Sequence, residues 1–137
     1  MDDNSLNNTV VDYDVQLPEA EFDIMQIIWK YSGECEIGTA FLMDEIGTER
    51  GWKLPTLISF LTRLEKRGYI CSEKRGKMRY YTPLANKEEY IHSITMRFID
   101  KYHGGSFISV LDSLYRNRRF DNNEVDELLD WLKKKYL

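Results

Sequence analysis

The chain has 137 residues, 42% of them hydrophobic, which suits one compact domain or a small domain with a helical appendage and excludes disorder throughout. No apolar run approaches the roughly 20 residues that cross a bilayer, and the opening MDDNSLNNTVVDYDVQ has neither the basic start nor the apolar core of a secretory signal. A formal net charge of −4 excludes a uniformly basic protein, so any basic surface must come from its distribution.

In chain order, residues 1–16 are rich in Asp and Asn and are expected to form a solvated, flexible tail. Leu17-Pro18-Glu19-Ala20-Glu21 opens a helix, with proline tolerated in the first turn and acids favoured at the positive dipole end. Phe22, Met25, Ile28 and Trp29 continue it at three- and four-residue spacing, and Gly33 stops it. Residues 35–37 are expected to pair as a short strand, and residues 39–46 to form a second, short helix with Phe41, Leu42 and Ile46 inward. After a turn over residues 47–52, a third helix spans Leu54 to Lys66. Pro55 fits its first turn, Leu57, Phe60, Leu61 and Leu64 make its inner face, and Gly68 ends it. Thr56, Ser59, Thr62, Arg63 and Arg67 are left mostly outward. Residues 69–73 read as a strand, 74–77 as a glycine-containing turn, and 78–82 as the returning strand.

Three more helices are expected. Asn86-Lys87-Glu88-Glu89 has the pattern of a capping box opening a helix through Tyr102, with Tyr90, Ile91, Ile94, Phe98 and Ile99 inward. Gly104 and Gly105 break it, and Ser106 caps a helix from Phe107 to Tyr115. Asp121-Asn122-Asn123-Glu124 repeats the capping pattern before Val125, Leu128, Leu129, Leu132 and Tyr136. These short amphipathic helices are too few to enclose a sizeable core alone. Two readings are open: they interlock between two chains, or they fold back within one.

The charge is concentrated. From Arg50 to Tyr80 nine basic residues face two acids, Glu65 and Glu73, a balance of +7 that leaves −11 elsewhere. A basic patch of this kind offers phosphates a landing site, though charge alone is equally consistent with a solvated surface. Cys35, Cys71, His92 and His103 stand apart, with no zinc spacing, so no metal and no cofactor is expected, and two reduced thiols are the plainer reading of the cysteines. Glycine-rich phosphate loops, metal motifs and a triad are all missing, so no catalytic residue is expected. The order of helix, helix, turn, helix and basic hairpin is that of a winged helix-turn-helix. The fold expected is mainly α with a small β-hairpin wing. Its domains are a winged helix-turn-helix over residues 17–84 and a helical region over residues 85–137.

Several segments together resemble the penicillinase-repressor family of bacterial transcriptional regulators, which controls β-lactamase and methicillin-resistance genes and has copper-responsive relatives. They are Glu19-Ala20-Glu21-Phe22-Asp23-Ile24-Met25 with Ile28-Trp29, then Trp52, Thr56, Leu61-Thr62-Arg63-Leu64, and Lys66-Arg67-Gly68-Tyr69. Glu73-Lys74-Arg75-Gly76-Lys77, Tyr80-Tyr81-Thr82-Pro83 and Gly104-Gly105-Ser106 complete the set. The family usually has Trp where Phe22 stands. The resemblance implies a cytoplasmic homodimer that represses transcription from a palindromic double-stranded DNA operator. The third helix would enter the major groove and the wing would touch the backbone.

On that reading Lys53, Arg63, Arg67, Lys74, Arg75, Lys77 and Arg79 are phosphate clamps, and Thr56, Ile58 and Ser59 are base or groove contacts. For Thr56, capping of the helix start is an equal alternative, and for Ile58 a structural role is open. Dimerisation would fall to Tyr90, Ile94, Phe98, Phe107, Leu111, Leu114, Val125, Leu128, Leu129 and Leu132. The β-lactamase repressors have an Arg-Thr pair where this chain has Ile58-Ser59. An apolar side chain there can meet a thymine methyl but cannot bridge guanine, so a different operator is implied. β-Lactam-responsive members are cleaved at an Asn-Phe bond after a membrane metalloprotease sensor is engaged. The matching pair here is Ser113-Leu114, a departure that leaves that sensor an implied partner only. The copper-responsive relatives carry a C-terminal cysteine cluster, absent from the ending Trp131-Leu132-Lys133-Lys134-Lys135-Tyr136-Leu137. The alternative is a winged-helix module that binds proteins without reading DNA.

Overall fold

The structure is a computed structural model that describes residues 11–116 and 121–137. The chain divides into two compact units, Met1–Ile94 and Thr95–Leu137.

In the first unit, helix α1 (Glu19–Tyr31) starts after Pro18, with Glu19 and Glu21 in its first turn, and buries Ile24, Met25 and Ile28. The expected strand over residues 35–37 does not form. Tyr81 N–H donates to the Ile37 carbonyl at 2.8 Å and Gly38 makes a single antiparallel bridge to Tyr80. Because Thr39 at once enters the next helix, the ladder has no room to propagate.

That next helix also departs from the expected regular one. Helix α2 (Thr39–Leu42) passes into a π-turn at Met43–Gly47. A Cβ at Gly47 would lie 2.5 Å from the Met43 sulfur, so the widened turn packs the Met43 side chain directly over Gly47, and a side chain there would have to displace it. Helix α3 (Leu54–Lys66) has the expected bounds, with Pro55 in its first turn and Leu57, Leu61 and Leu64 buried. It ends in a Schellman arrangement: Tyr69 N–H donates to Leu64 O and Gly68 N–H to Glu65 O, each at 3.0 Å. Both apolar partners of that motif, Leu64 and Tyr69, are buried.

The hairpin is longer, and its turn tighter, than expected. Strands β1 (Ile70–Arg75) and β2 (Met78–Pro83) pair from Ile70↔Pro83 to Arg75↔Met78, leaving the two-residue turn Gly76-Lys77. Gly76 takes φ +65°, which the primed hairpin turns require at this position.

Helix α4 (Lys87–His103) begins in this unit. Asn86 Oδ1 accepts from Glu89 N–H at 3.0 Å, but the Asn86 N–H donates to the Tyr13 hydroxyl at 2.8 Å. Only half of the expected capping box is therefore made. The other half belongs to a segment expected to be a solvated tail. Residues 1–10 lie outside the described residues, whereas Val11 and Tyr13 pack against the core. Tyr13 also accepts, through its carbonyl, the Ser93 hydroxyl at 2.6 Å, and the Tyr69 hydroxyl donates to Asp12 O at 3.2 Å. Val11 and the Tyr13 ring supply the apolar area that the Asp and Asn content concealed.

Tyr90 also departs from expectation. Expected among the dimerisation residues, it is 1% exposed inside the first unit. It stacks on Phe22 at 5.6 Å and meets Tyr69 edge-on at 5.9 Å, and its hydroxyl accepts from Leu17 N–H at 2.9 Å. Trp29 Nε1 donates to Ala85 O at 2.9 Å close by.

The second unit holds the rest of α4, helix α5 (Phe107–Arg116) and helix α6 (Asn122–Tyr136). Ser106 Oγ accepts from Ser109 N–H at 3.1 Å, and Asp121 and Glu124 close a full capping box. No residue of α5 or α6 is buried. Phe98, Phe107, Leu114, Val125 and Leu129 are exposed, and Leu111, Leu128 and Leu132 are half-buried.

Candidate nucleic-acid interface

Three elements of the first unit shape the site. The buried leucines of α3 turn its opposite face to solvent, where Lys53, Thr56, Ile58, Ser59, Thr62, Arg63 and Lys66 are all exposed. The position that caps α3 is Lys53, without a side-chain bond. Thr56 is therefore not the cap, and its hydroxyl is left to solvent. Trp52 packs against Phe60 at the start of the helix, with ring centroids 5.0 Å apart and planes inclined by 59°, and the Arg63 guanidinium lies 5.9 Å over the same Phe60 ring. Beside this face, Ile58, Thr62, Glu65 and Lys66 of α3 line a cleft of about 520 Å³ with Arg79 and Tyr81 of β2.

The basic residues singled out in the sequence divide into two groups. Lys53, Lys74 and Lys77 are exposed and make no ion pair among the described residues. The arginines near them are engaged. Arg67 Nε lies 3.3 Å from Oε1 of Glu21, whose side chain is 1% exposed. That oxygen has no hydrogen bond, so the contact is one of charge rather than of aligned donor and acceptor. Arg67, expected as a phosphate clamp, thus lies beside a buried carboxylate as its counter-ion. Arg50 pairs with Asp23 at 2.7 Å and ties the loop before α3 to α1.

On the wing, Arg75 contacts Glu36 at 2.5 Å and Glu73 at 3.0 Å and lies 4.1 Å over the Tyr80 ring. The hydrogen bond to Glu36 raises the Arg75 pKa above its ordinary value. Arg79 donates to Ser72 Oγ at 2.8 Å, and Ser72 donates in turn to Glu65 Oε1 at 2.9 Å.

Sequence reasoning misses Glu36, Glu65 and Ser72, since no local pattern links them to arginines across the fold. It assigns no contact to Lys66 either, although the spacing from Arg63 and Thr62 places that residue on the same helical face. Cys35 and Cys71 are exposed and free. Among the described residues no group of three or more His, Cys, Asp or Glu could hold a metal ion, and no helix is long and apolar enough to cross a membrane.

Helices packed on a hairpin, with the third helix exposed and basic beside it, define a winged helix-turn-helix. The sequence profile of the penicillinase repressor family matches residues 17–134. The chain belongs to that family. It is 28% identical to the penicillinase repressor of Bacillus licheniformis over 87% of this chain and 91% of that one. It is 30% identical to the methicillin resistance regulatory protein MecI of Mammaliicoccus sciuri over 88% and 95%. Among solved structures, the DNA-binding domain of the repressor BlaI superposes with a TM-score of 0.48 at 32% identity, covering 55% of this chain and 88% of that one. The Bacillus licheniformis BlaI monomer, solved with the blaP half-operator, gives 0.45 at 30% identity over 56% and 89%.

Proposed function

We propose that this protein is a transcriptional repressor that binds double-stranded operator DNA as a homodimer in the bacterial cytoplasm. The observation that carries the reading is one exposed surface. On it the outer face of α3, with Lys53, Thr56, Ile58, Ser59 and Arg63, adjoins a hairpin whose Lys74 and Lys77 have no ion pair among the described residues. An α-helix fits the major groove, and a flanking wing fits the phosphate backbone. Thr56, Ile58 and Ser59 are the groove contacts. Ile58 in particular, at 43% exposure, presents an apolar surface suited to a thymine methyl. Lys53, Arg63, Lys74 and Lys77 are the phosphate contacts.

The dimer rests on the second unit, where α5 and α6 bury none of their residues within one chain. Phe98, Phe107, Leu111, Leu114, Val125, Leu128, Leu129 and Leu132 are the contacts; Tyr90 and Ile94, which pack in the first unit, are not among them. Two heads related by a two-fold axis engage a palindrome.

Selection of bound duplexes from genomic fragments at low salt tests the reading. Binding should fall steeply with salt, by roughly 10³ or more between 50 and 200 mM for six or more phosphate contacts. Recovery of no duplex at low salt would refute it and leave the protein-binding alternative.

A further inference from the structure

A two-stranded hairpin is marginal on its own, so a wing must be held from outside to keep a fixed direction. The register puts Glu73 and Arg75 of β1 on one face with Tyr80 of β2, and Ser72 and Lys74 on the other with Arg79 and Tyr81. On the first face the Arg75 guanidinium reaches Glu36, in the segment before α2, while lying over Tyr80 and meeting Glu73. On the second face Arg79 crosses from β2 to Ser72 on β1, and Ser72 continues to Glu65 on α3. Each face is therefore tied to a different part of the head, the first directly by Arg75 and the second through Ser72, which Arg79 holds from the other strand. A planar guanidinium suits the Arg75 position, because there it meets two acceptors and a ring at once, which an ammonium cannot. Lys74 and Lys77 have no such ties among the described residues.

Resting on the DNA-binding reading above, we propose that Arg75 and Arg79 are positioning residues that brace the wing, and that its phosphate contacts are Lys74 and Lys77. The wing so described separates two tasks that its sequence presents as one basic run.

The test uses the full chain and a duplex recovered by selection with the wild-type protein. Arg75→Lys keeps the charge and removes the fork, and Glu36→Gln removes a negative charge from the neighbourhood of DNA. Under the brace each weakens binding roughly two- to fivefold without changing the slope of affinity against salt. Lys74→Ala and Lys77→Ala instead flatten that slope, by about 0.9 for each phosphate no longer neutralised. Wild-type binding by Arg75→Lys, with tighter binding by Glu36→Gln, is the result of a pure charge role and would overturn the proposal. A second measurement needs no DNA. Amide exchange across Ile70–Arg75 and Met78–Pro83 should quicken in Glu36→Gln and Arg75→Lys, and unchanged protection in both overturns the brace. If the wild-type chain selects no duplex, the repressor reading fails, while exchange still decides whether Arg75 holds the hairpin.

Discussion

Glu21 lies in the first turn of α1 with its side chain 1% exposed, and a carboxylate so placed is tolerable only beside a cation. Arg67 is that cation, so Arg67→Ala should cost about 3 kcal/mol by leaving the charge buried and uncompensated. The loss should appear in the thermal midpoint and be partly recovered in Arg67→Ala/Glu21→Gln. A flatter salt slope with an unchanged midpoint would return Arg67 to the phosphate contacts. In the sequence Arg67 is indistinguishable from its basic neighbours, because nothing local reveals that a carboxylate far upstream is sealed beneath it. Tyr69 belongs to the same buried region. Burial foremost, then the nearby Tyr90, Tyr13 and Asp12, raises its phenol to about 12 from the ordinary 10.0. A raised folded value favours the neutral form, so its contribution is complete below pH 10 and is lost as pH climbs toward 12. Tyr69→Phe should make stability less sensitive to alkali across that window, as read by urea midpoints, at a cost of roughly 1 kcal/mol for the bond to Asp12 O.

Element boundaries are legible where several local signals coincide. On α3, a proline in the first turn, leucines at helical spacing and Gly68 past the end all agree, and the helix has the bounds they imply. The hairpin is equally clear in order, but charged residues occupy both the last positions of β1 and the turn itself, which makes the turn look wider than it is. The π-turn is hidden, since the apolar spacing of Phe41, Leu42 and Ile46 suits a regular helix as well. Only the packing of Met43 on Gly47 exposes it. Gly47→Ala should therefore destabilise by about 1–3 kcal/mol through overpacking, and Met43→Ala in the same chain should relieve part of that. Urea midpoints of the single and double variants check it, and additivity of the two changes would argue against the contact.

For the whole molecule, the place to separate the head from the second unit follows from the aromatic core. A cut after Pro83 would remove Ala85 and Tyr90 and open the centre of the first unit. A cut after Ile94 keeps them. Residues 1–94 should fold, sediment as a monomer and bind the operator more weakly, whereas the full chain should sediment as a dimer. Equal masses for the two would overturn the dimer. The sequence does not reveal this boundary, because Tyr90 and Ile94 share one helical stripe with Phe98 and spacing does not say which body each residue joins.

The contact between Trp52 and Phe60 gives the protein an optical reporter at the edge of its reading helix. The chain has three tryptophans: Trp29 in the head, Trp52 beside Lys53, and Trp131 on α6. Replacing Trp29 and Trp131 by phenylalanine leaves emission from Trp52 alone, so operator docking can be followed as a change in fluorescence without attaching a dye. The Trp131-only chain would report in the same way on assembly of the second unit, separating in time two events that a binding isotherm merges.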